Sequence, residues 1–208
     1  MANIVNGLAW LLVEQLDGPG SYGAHAEVLA YVSANDVRYS ALVLAANKSD
    51  YTVRTLTVVS VLIKCTDMLM LLRYLHTSGS TGLPKPLIWI HETCTQILNA
   101  NGCQAPGEIP SVNTLISGKR IIVTLPPFHG ALLAQLLVGA IPYGNFVIAP
   151  VASPIPTAQG VVDALKQSPA DVAILVPSVV AESAHNDELL DYCAANLKTI
   201  IKIGGDLP

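Results

Sequence analysis

Four short runs of β-branched and aliphatic residues recur in the second half of this chain: RIIVT (Arg120–Thr124), NFVI (Asn145–Ile148), DVAIL (Asp171–Leu175) and TIIKI (Thr199–Ile203). Between them lie stretches with apolar residues at helical spacing, at about Gly130–Ala140, Ala158–Gln167 and Asn186–Ala195. Strand and helix alternating at this interval predict βαβ units with right-handed crossovers, because a parallel neighbour cannot be reached by a tight turn. Such a sheet is covered by helices on both faces and needs little charge. The chain complies, with 51% hydrophobic and 12% charged residues among its 208. The expected class is α/β, a layered αβα arrangement with mostly parallel sheets.

The first half reads less uniformly. Ile4, Leu8, Leu11, Leu12 and Leu16 predict a helix that the DGPG stretch, Asp17 to Gly20, stops. A strand over Glu27–Val32 follows, and Asn35 is placed to cap a helix over Asp36–Ala46. Tyr51–Leu75 fits one or two buried strands, or a helix and a strand, and periodicity leaves these open. Its end, Met70–Leu75, reads as a strand. LIWI (Leu87–Ile90) reads as another, His91–Ala100 as a helix and Gln104–Ile109 as an exposed loop.

Composition removes several function classes. A net charge of −4 and 5% aromatics provide neither a basic stripe nor a stacking platform, so no nucleic-acid partner is expected. Cys65, Cys94, Cys103 and Cys193 are scattered without a C-x-x-C pair, which predicts free thiols in a reducing compartment and no metal site. The start has no basic n-region or small-residue cleavage site, and Lys64, Asp67 and Arg73 break the most apolar segment. No membrane span is expected, and the location read from these features is cytoplasmic.

TSGSTGLPK, Thr77 to Lys85, is the segment most suited to chemistry. The hydroxyls of Thr77, Ser78, Ser80 and Thr81 can donate to phosphate oxygens. Gly79 and Gly82 let backbone N–H groups turn inward as an anion nest. Lys85 adds a compact positive charge held between Pro84 and Pro86. The lysine follows the last glycine by three positions with no Ser or Thr after it, so this is not the P-loop pattern. A solvent-exposed Ser/Gly turn in a hairpin has the same composition, and composition alone leaves both readings open.

HTSGSTGLPKP, His76 to Pro86, resembles the phosphate-binding signature of the adenylate-forming superfamily: acyl-CoA synthetases, luciferases and peptide-synthetase adenylation domains. TLPPFHGALL (Thr124–Leu133) is similar to that family's aromatic–His motif, and IKIGGDLP (Ile201–Pro208) to its strand and Gly-Gly turn. NGLAWLLVEQL and AYVSANDVRYSALVLAANK resemble the family's early helix, strand and helix. The closest flavour is that of fungal reductase-like, single-module synthetases. The resemblance implies that 1–208 is a partial AMP-binding (adenylation) N-terminal domain, with 51–75 matching poorly and the small C-terminal domain absent.

The resemblance further implies two-step carboxylate activation, in which ATP and a carboxylic acid give an acyl-adenylate and pyrophosphate, and a thiol then takes the acyl group. Thr77, Ser78, Gly79, Ser80, Thr81, Gly82 and Lys85 would hold the phosphates of ATP, accompanied by Mg²⁺. His129, the catalytic candidate, would sit by the α-phosphate and the carboxylate, with Phe128 gating the pocket. Gly204 and Gly205 would let backbone approach adenine or the acyl group. The acceptor would be CoA or phosphopantetheine, with a carrier domain in a longer chain as partner. The family's adenine- and ribose-gripping segments and its hinge have no counterpart before Pro208. A fragment inactive by itself is therefore expected, the alternative being a non-catalytic relic or weak nucleotide-binding module. His76 receives no role, His91 and Glu92 begin a helix, and His25 and His185 are surface residues. Asp163, Asp171, Asp187 and Asp191 are helix-start or turn carboxylates. Asp206 stands where the family has a small apolar residue, and Cys94, Cys103 and Cys193 are inert thiols.

Overall fold

Each of the four apolar runs forms a strand of one parallel sheet. These are β5 (Arg120–Val123), β6 (Phe146–Ile148), β7 (Val172–Leu175) and β8 (Thr199–Lys202), in the spatial order β6-β5-β7-β8. The computed structural model describes residues 2–21, 27–31, 38–55, 71–77, 85–100, 107, 109–126, 129–140, 142–150 and 155–205. They fall into two compact units: residues 1–33 with 37–97, and residues 98–208 with 34–36.

In the second unit the strand order dictates where the helices go. The chain leaves β5 for β6 on one side and then crosses back past β5 to reach β7 and β8 on the other. Right-handed crossovers in opposite directions must use opposite faces of the sheet. The side chains confirm this: Ile121, Val123, Val172 and Ile174 pack with Ile116 of α4 (Val112–Ile116) and Leu132 of α5 (Gly130–Leu133). Ile122, Ala173 and Leu175 face the other way, onto α6 (Ala158–Gln167), α7 (Pro177–Ala184) and α8 (Asp187–Asn196) through Val161, Val162, Leu165, Val179, Leu189 and Cys193. Alternate residues of β7 thus feed two cores, and all four are buried. Burial of a side chain such as Ile174 or Leu175 contributes about 1.5–3 kcal/mol.

The helix ends are fixed by side chains. Thr157 caps α6, its Oγ1 accepting from Gly160 N at 3.1 Å, while Glu182 Oε2 of α7 accepts from Ala158 N at 2.8 Å. Asn186 caps α8 through its Oδ1, which accepts from Leu189 N at 3.2 Å. The helical stretch expected over Gly130–Ala140 is present but is not α-helical throughout: after α5 the chain widens into a π-helical turn, Ala134–Gly139. An apolar helical pattern says nothing about whether bonds close at four residues or five. Two helices, α4 and α7, were not expected at all.

The first unit begins with α1 (Ala2–Gln15), stopped where Asp17 and Gly18 take positive φ values of 57° and 143°. Then come β1 (Val28–Tyr31), α2 (Arg38–Lys48), β2 (Thr52–Thr55), β3 (Leu71–Thr77) and β4 (Lys85–Ile90). Their sheet runs β1-β2-β3-β4, parallel except for the antiparallel β3–β4 pair. A helix α3 (His91–Ala100) follows β4. Helix α2 buries Tyr39, Ala41, Val43, Ala45 and Ala46, and Ser49 just beyond it donates to the Ala9 carbonyl of α1 at 3.1 Å. Asn35, the expected cap, and 56–70 lie outside the described residues, so Tyr51–Leu75 resolves only into β2 and the start of β3. The described residues form the α/β architecture with mostly parallel strands that the alternation predicted.

Candidate functional site

Because the chain turns from β5 outward to β6 and later to β7 in the opposite direction, β5 and β7 flank a topological switch point. In open α/β sheets the connections that leave such a pair diverge and open a crevice at the carboxyl ends of the strands, where ligands bind. Three segments border that edge here: residues 124–126 after β5, Val176 and Pro177 after β7, and 203–205 after β8.

Thr124 ties the two central strands at their carboxyl ends. Its backbone N donates to Ile174 O at 3.0 Å, and its Oγ1 accepts from Val176 N at 3.1 Å. The side chain is 5% exposed, so this hydroxyl is an internal clasp. Beyond it, His129 N donates to Pro126 O at 2.9 Å, turning the chain so that His129 stands at the start of α5. His129 has extended backbone (φ −77°, ψ 137°), and its Nδ1 accepts from Ala131 N at 3.1 Å, capping the helix with a side chain that remains exposed.

On the other side, Ile203 N donates to Leu175 O at 3.0 Å and carries the β7–β8 pairing one residue further. Gly204 then adopts φ 129°, and a Cβ there would lie 3.0 Å from Pro177 Cδ. Its glycine is thus required by a contact within the chain, at the first turn of α7. Gly205 has open space around its Cα, and its carbonyl accepts from Lys202 Nζ at 2.8 Å. His129, Gly204 and Gly205 therefore share the carboxyl edge of one sheet. Sequence reasoning missed Thr124 as a clasp and Pro177 as the neighbour of Gly204, since both depend on which strands pair.

In the first unit, Thr77 and Lys85 are register partners that end the β3–β4 ladder. Ser78, Gly79, Ser80, Thr81, Gly82 and Phe128 lie outside the described residues, as do His25, Cys65, Cys103 and Asp206. His185 is exposed, as expected, and Asp163 accepts from Gln159 Nε2 at 2.8 Å along α6. Burial pushes the thiols of Cys94 and Cys193 above the ordinary range, which disfavours the thiolate form. Among the described residues no group of three His, Cys, Asp or Glu could hold a metal, and no helix is long and apolar enough to cross a membrane. The described side chains thus offer no Mg²⁺ set of their own.

No protein-family model matches the chain. Over 109 residues it is 31% identical to an adenylate-forming reductase of Aspergillus terreus, a stretch covering 52% of this chain and 9% of that protein. Over 143 residues it is 29% identical to the adenylate-forming reductase Nps9 of Serpula lacrymans, covering 64% and 12%. Its fold is similar to the N-terminal domain of FACL13 from Mycobacterium tuberculosis in an inhibitor-bound crystal structure. That match has a TM-score of 0.69 at 15% identity and covers 99% of this chain and 62% of that one. The chain spans about a tenth of the length of these curated relatives and less than two thirds of that solved domain.

Proposed function

We propose, on the premise that the chain resembles adenylate-forming enzymes in both sequence and fold, that it is the nucleotide-holding part of a carboxylate-activating domain. In that reaction a carboxylate oxygen attacks the α-phosphorus of ATP. The bond to the β-phosphate oxygen breaks, pyrophosphate leaves and an acyl-adenylate remains, whose acyl group a thiol of CoA or phosphopantetheine then takes as AMP leaves. Two anions must meet in line, so the protein's part is positioning and charge stabilisation.

The observation that carries the reading is the pairing of Thr77 with Lys85 across the end of the β3–β4 ladder. It brings the two ends of TSGSTGLPK together, so the lysine re-enters the strand opposite the first hydroxyl residue of the motif. In this reading Thr77, Ser78, Gly79, Ser80, Thr81, Gly82 and Lys85 grip the β- and γ-phosphates, and Mg²⁺ arrives with the nucleotide. Phe128 and His129 border the carboxylate, and Gly205, with open space at its Cα, lets adenine or the acyl group approach the backbone. A carrier domain is the proposed partner in a longer protein.

Calorimetry with ATP·Mg²⁺ tests this on the folded chain beside Lys85→Ala and Ser80→Ala. Loss of one charge-assisted contact should weaken binding about 10- to 100-fold in Lys85→Ala, and by less in Ser80→Ala. A folded wild-type chain that takes up no ATP·Mg²⁺ would sink the reading and leave a non-catalytic module.

A further inference from the structure

We infer that His129 is fixed by the helix it caps as the neutral Nε2–H tautomer, and that it presents a hydrogen-bond donor, not a base, at the carboxyl edge of the sheet. A backbone N–H can only donate, so the 3.1 Å contact from Ala131 N requires a lone pair on His129 Nδ1. A neutral imidazole has one acceptor nitrogen and one N–H. With Nδ1 consumed by the cap, the proton resides on Nε2. That atom lies across the ring from Nδ1, directed away from the first turn of α5, on an exposed side chain.

The contrast with His185 is internal to the same chain. Its Nδ1 stands 2.7 Å from the carbonyl oxygen of Ala181, which can only accept, so there Nδ1 carries the proton, and in the neutral ring Nε2 has the lone pair. The two histidines therefore offer opposite atoms to solvent. His129 is also an unusual cap. Ser, Thr, Asp and Asn serve that position better and cap α4, α6 and α8 here through Ser111, Thr157 and Asn186. An imidazole that gives one nitrogen to the helix keeps the other N–H in a set direction, which none of those residues does.

What the donor meets is an anionic oxygen of the bound carboxylate or phosphate. This deepens the nucleotide reading above and rests on it for the acceptor's identity. For His129 to act as a base it would have to release Ala131 N, since its outward nitrogen already holds a proton.

The test is a long-range ¹H–¹⁵N correlation spectrum of the ¹⁵N-histidine-labelled chain without nucleotide, at mildly alkaline pH, with His129→Asn identifying the resonances. His129 should show the Nε2–H pattern and His185 the Nδ1–H pattern in one spectrum. An Nδ1–H pattern or a tautomer mixture at His129 would overturn the proposal. Thermal unfolding supplies the second readout. His129→Ala should lower Tm by about 2–4 °C, while His129→Asn, which restores a capping oxygen, should keep the wild-type value. Equal Tm values for wild type and both variants would show that the ring does not cap and would also overturn it. Both readouts are taken without ATP, so a failure of the chain to bind ATP·Mg²⁺ is a separate result that bears on the nucleotide reading alone.

Discussion

The two ends of the β6-β5-β7-β8 sheet are held by different chemistry. At the amino ends the ties use charge. Arg120 donates through Nε to Pro169 O at 2.6 Å and through Nη2 to Ser168 Oγ at 2.8 Å, with its guanidinium 4.8 Å from the centre of the Phe146 ring. Lys198 pairs with Asp171 at 2.7 Å. At the carboxyl ends the ties are a hydroxyl, an imidazole nitrogen and a glycine packed on a proline. The Lys202 ammonium adds a positive charge beside them. Among the described residues, then, the amino end is closed by an ion pair and a guanidinium, whereas the carboxyl edge carries one ammonium on a backbone carbonyl and is otherwise tied by neutral contacts.

On that division the neutral clasps should carry more stability than the exposed charges. The largest effect is expected for Thr124→Val, which keeps the shape but leaves Val176 N without its partner. Stability should fall by about 2 kcal/mol, read from urea or thermal unfolding. A neutral outcome would mean that the hydroxyl is not what joins β5 to β7.

Gly204→Ala comes next. Its φ of 129° and the 3.0 Å approach to Pro177 both oppose a methyl group, but the segment is exposed and can shift, so the cost should be about 1 kcal/mol. Gly205→Ala, with nothing within 4 Å, should leave Tm unchanged. Equal effects from the two alanines would break the distinction between a glycine needed for packing and one standing open.

These positions also mark how far the sequence could be read. Strands β5 to β8 were legible to within a residue because buried parallel strands are continuous apolar runs bounded by turn residues. Helix α6 was legible to its last residue, since its apolar stripe is a local signal. Helix α7 was not: it has no side-chain cap to announce it, and only the structure shows Pro177 in the first helical turn. His129 was found through its motif. The Thr124 clasp was invisible because its partner is 52 residues away and is brought near by the pairing of β5 with β7. Gly204 was read as letting backbone approach adenine or the acyl group, and the close packing of Pro177 on it was not legible.

The smallest effect is expected at the charged end, with Asp171→Asn. The hydrogen bond from Lys198 holds the Asp171 carboxyl below the usual carboxylate range, with burial opposing the shift in part. A group whose folded pKa is depressed adds stability above its unfolded pKa and loses it as pH falls through the folded value. Wild type should therefore exceed Asp171→Asn slightly in Tm at neutral pH, and the gap should close in acid as the carboxylate is protonated. Added salt should narrow it as well, since Lys198 is 76% exposed. The backbone bonds Asp171 N to Arg120 O at 2.9 Å and Lys198 N to Asp171 O at 2.8 Å survive the substitution, which is why the loss should stay small. A gap as large as that of Thr124→Val, or one that persists in acid, would show that the amino end is held by more than an exposed ion pair, and the contrast between the two ends would fail.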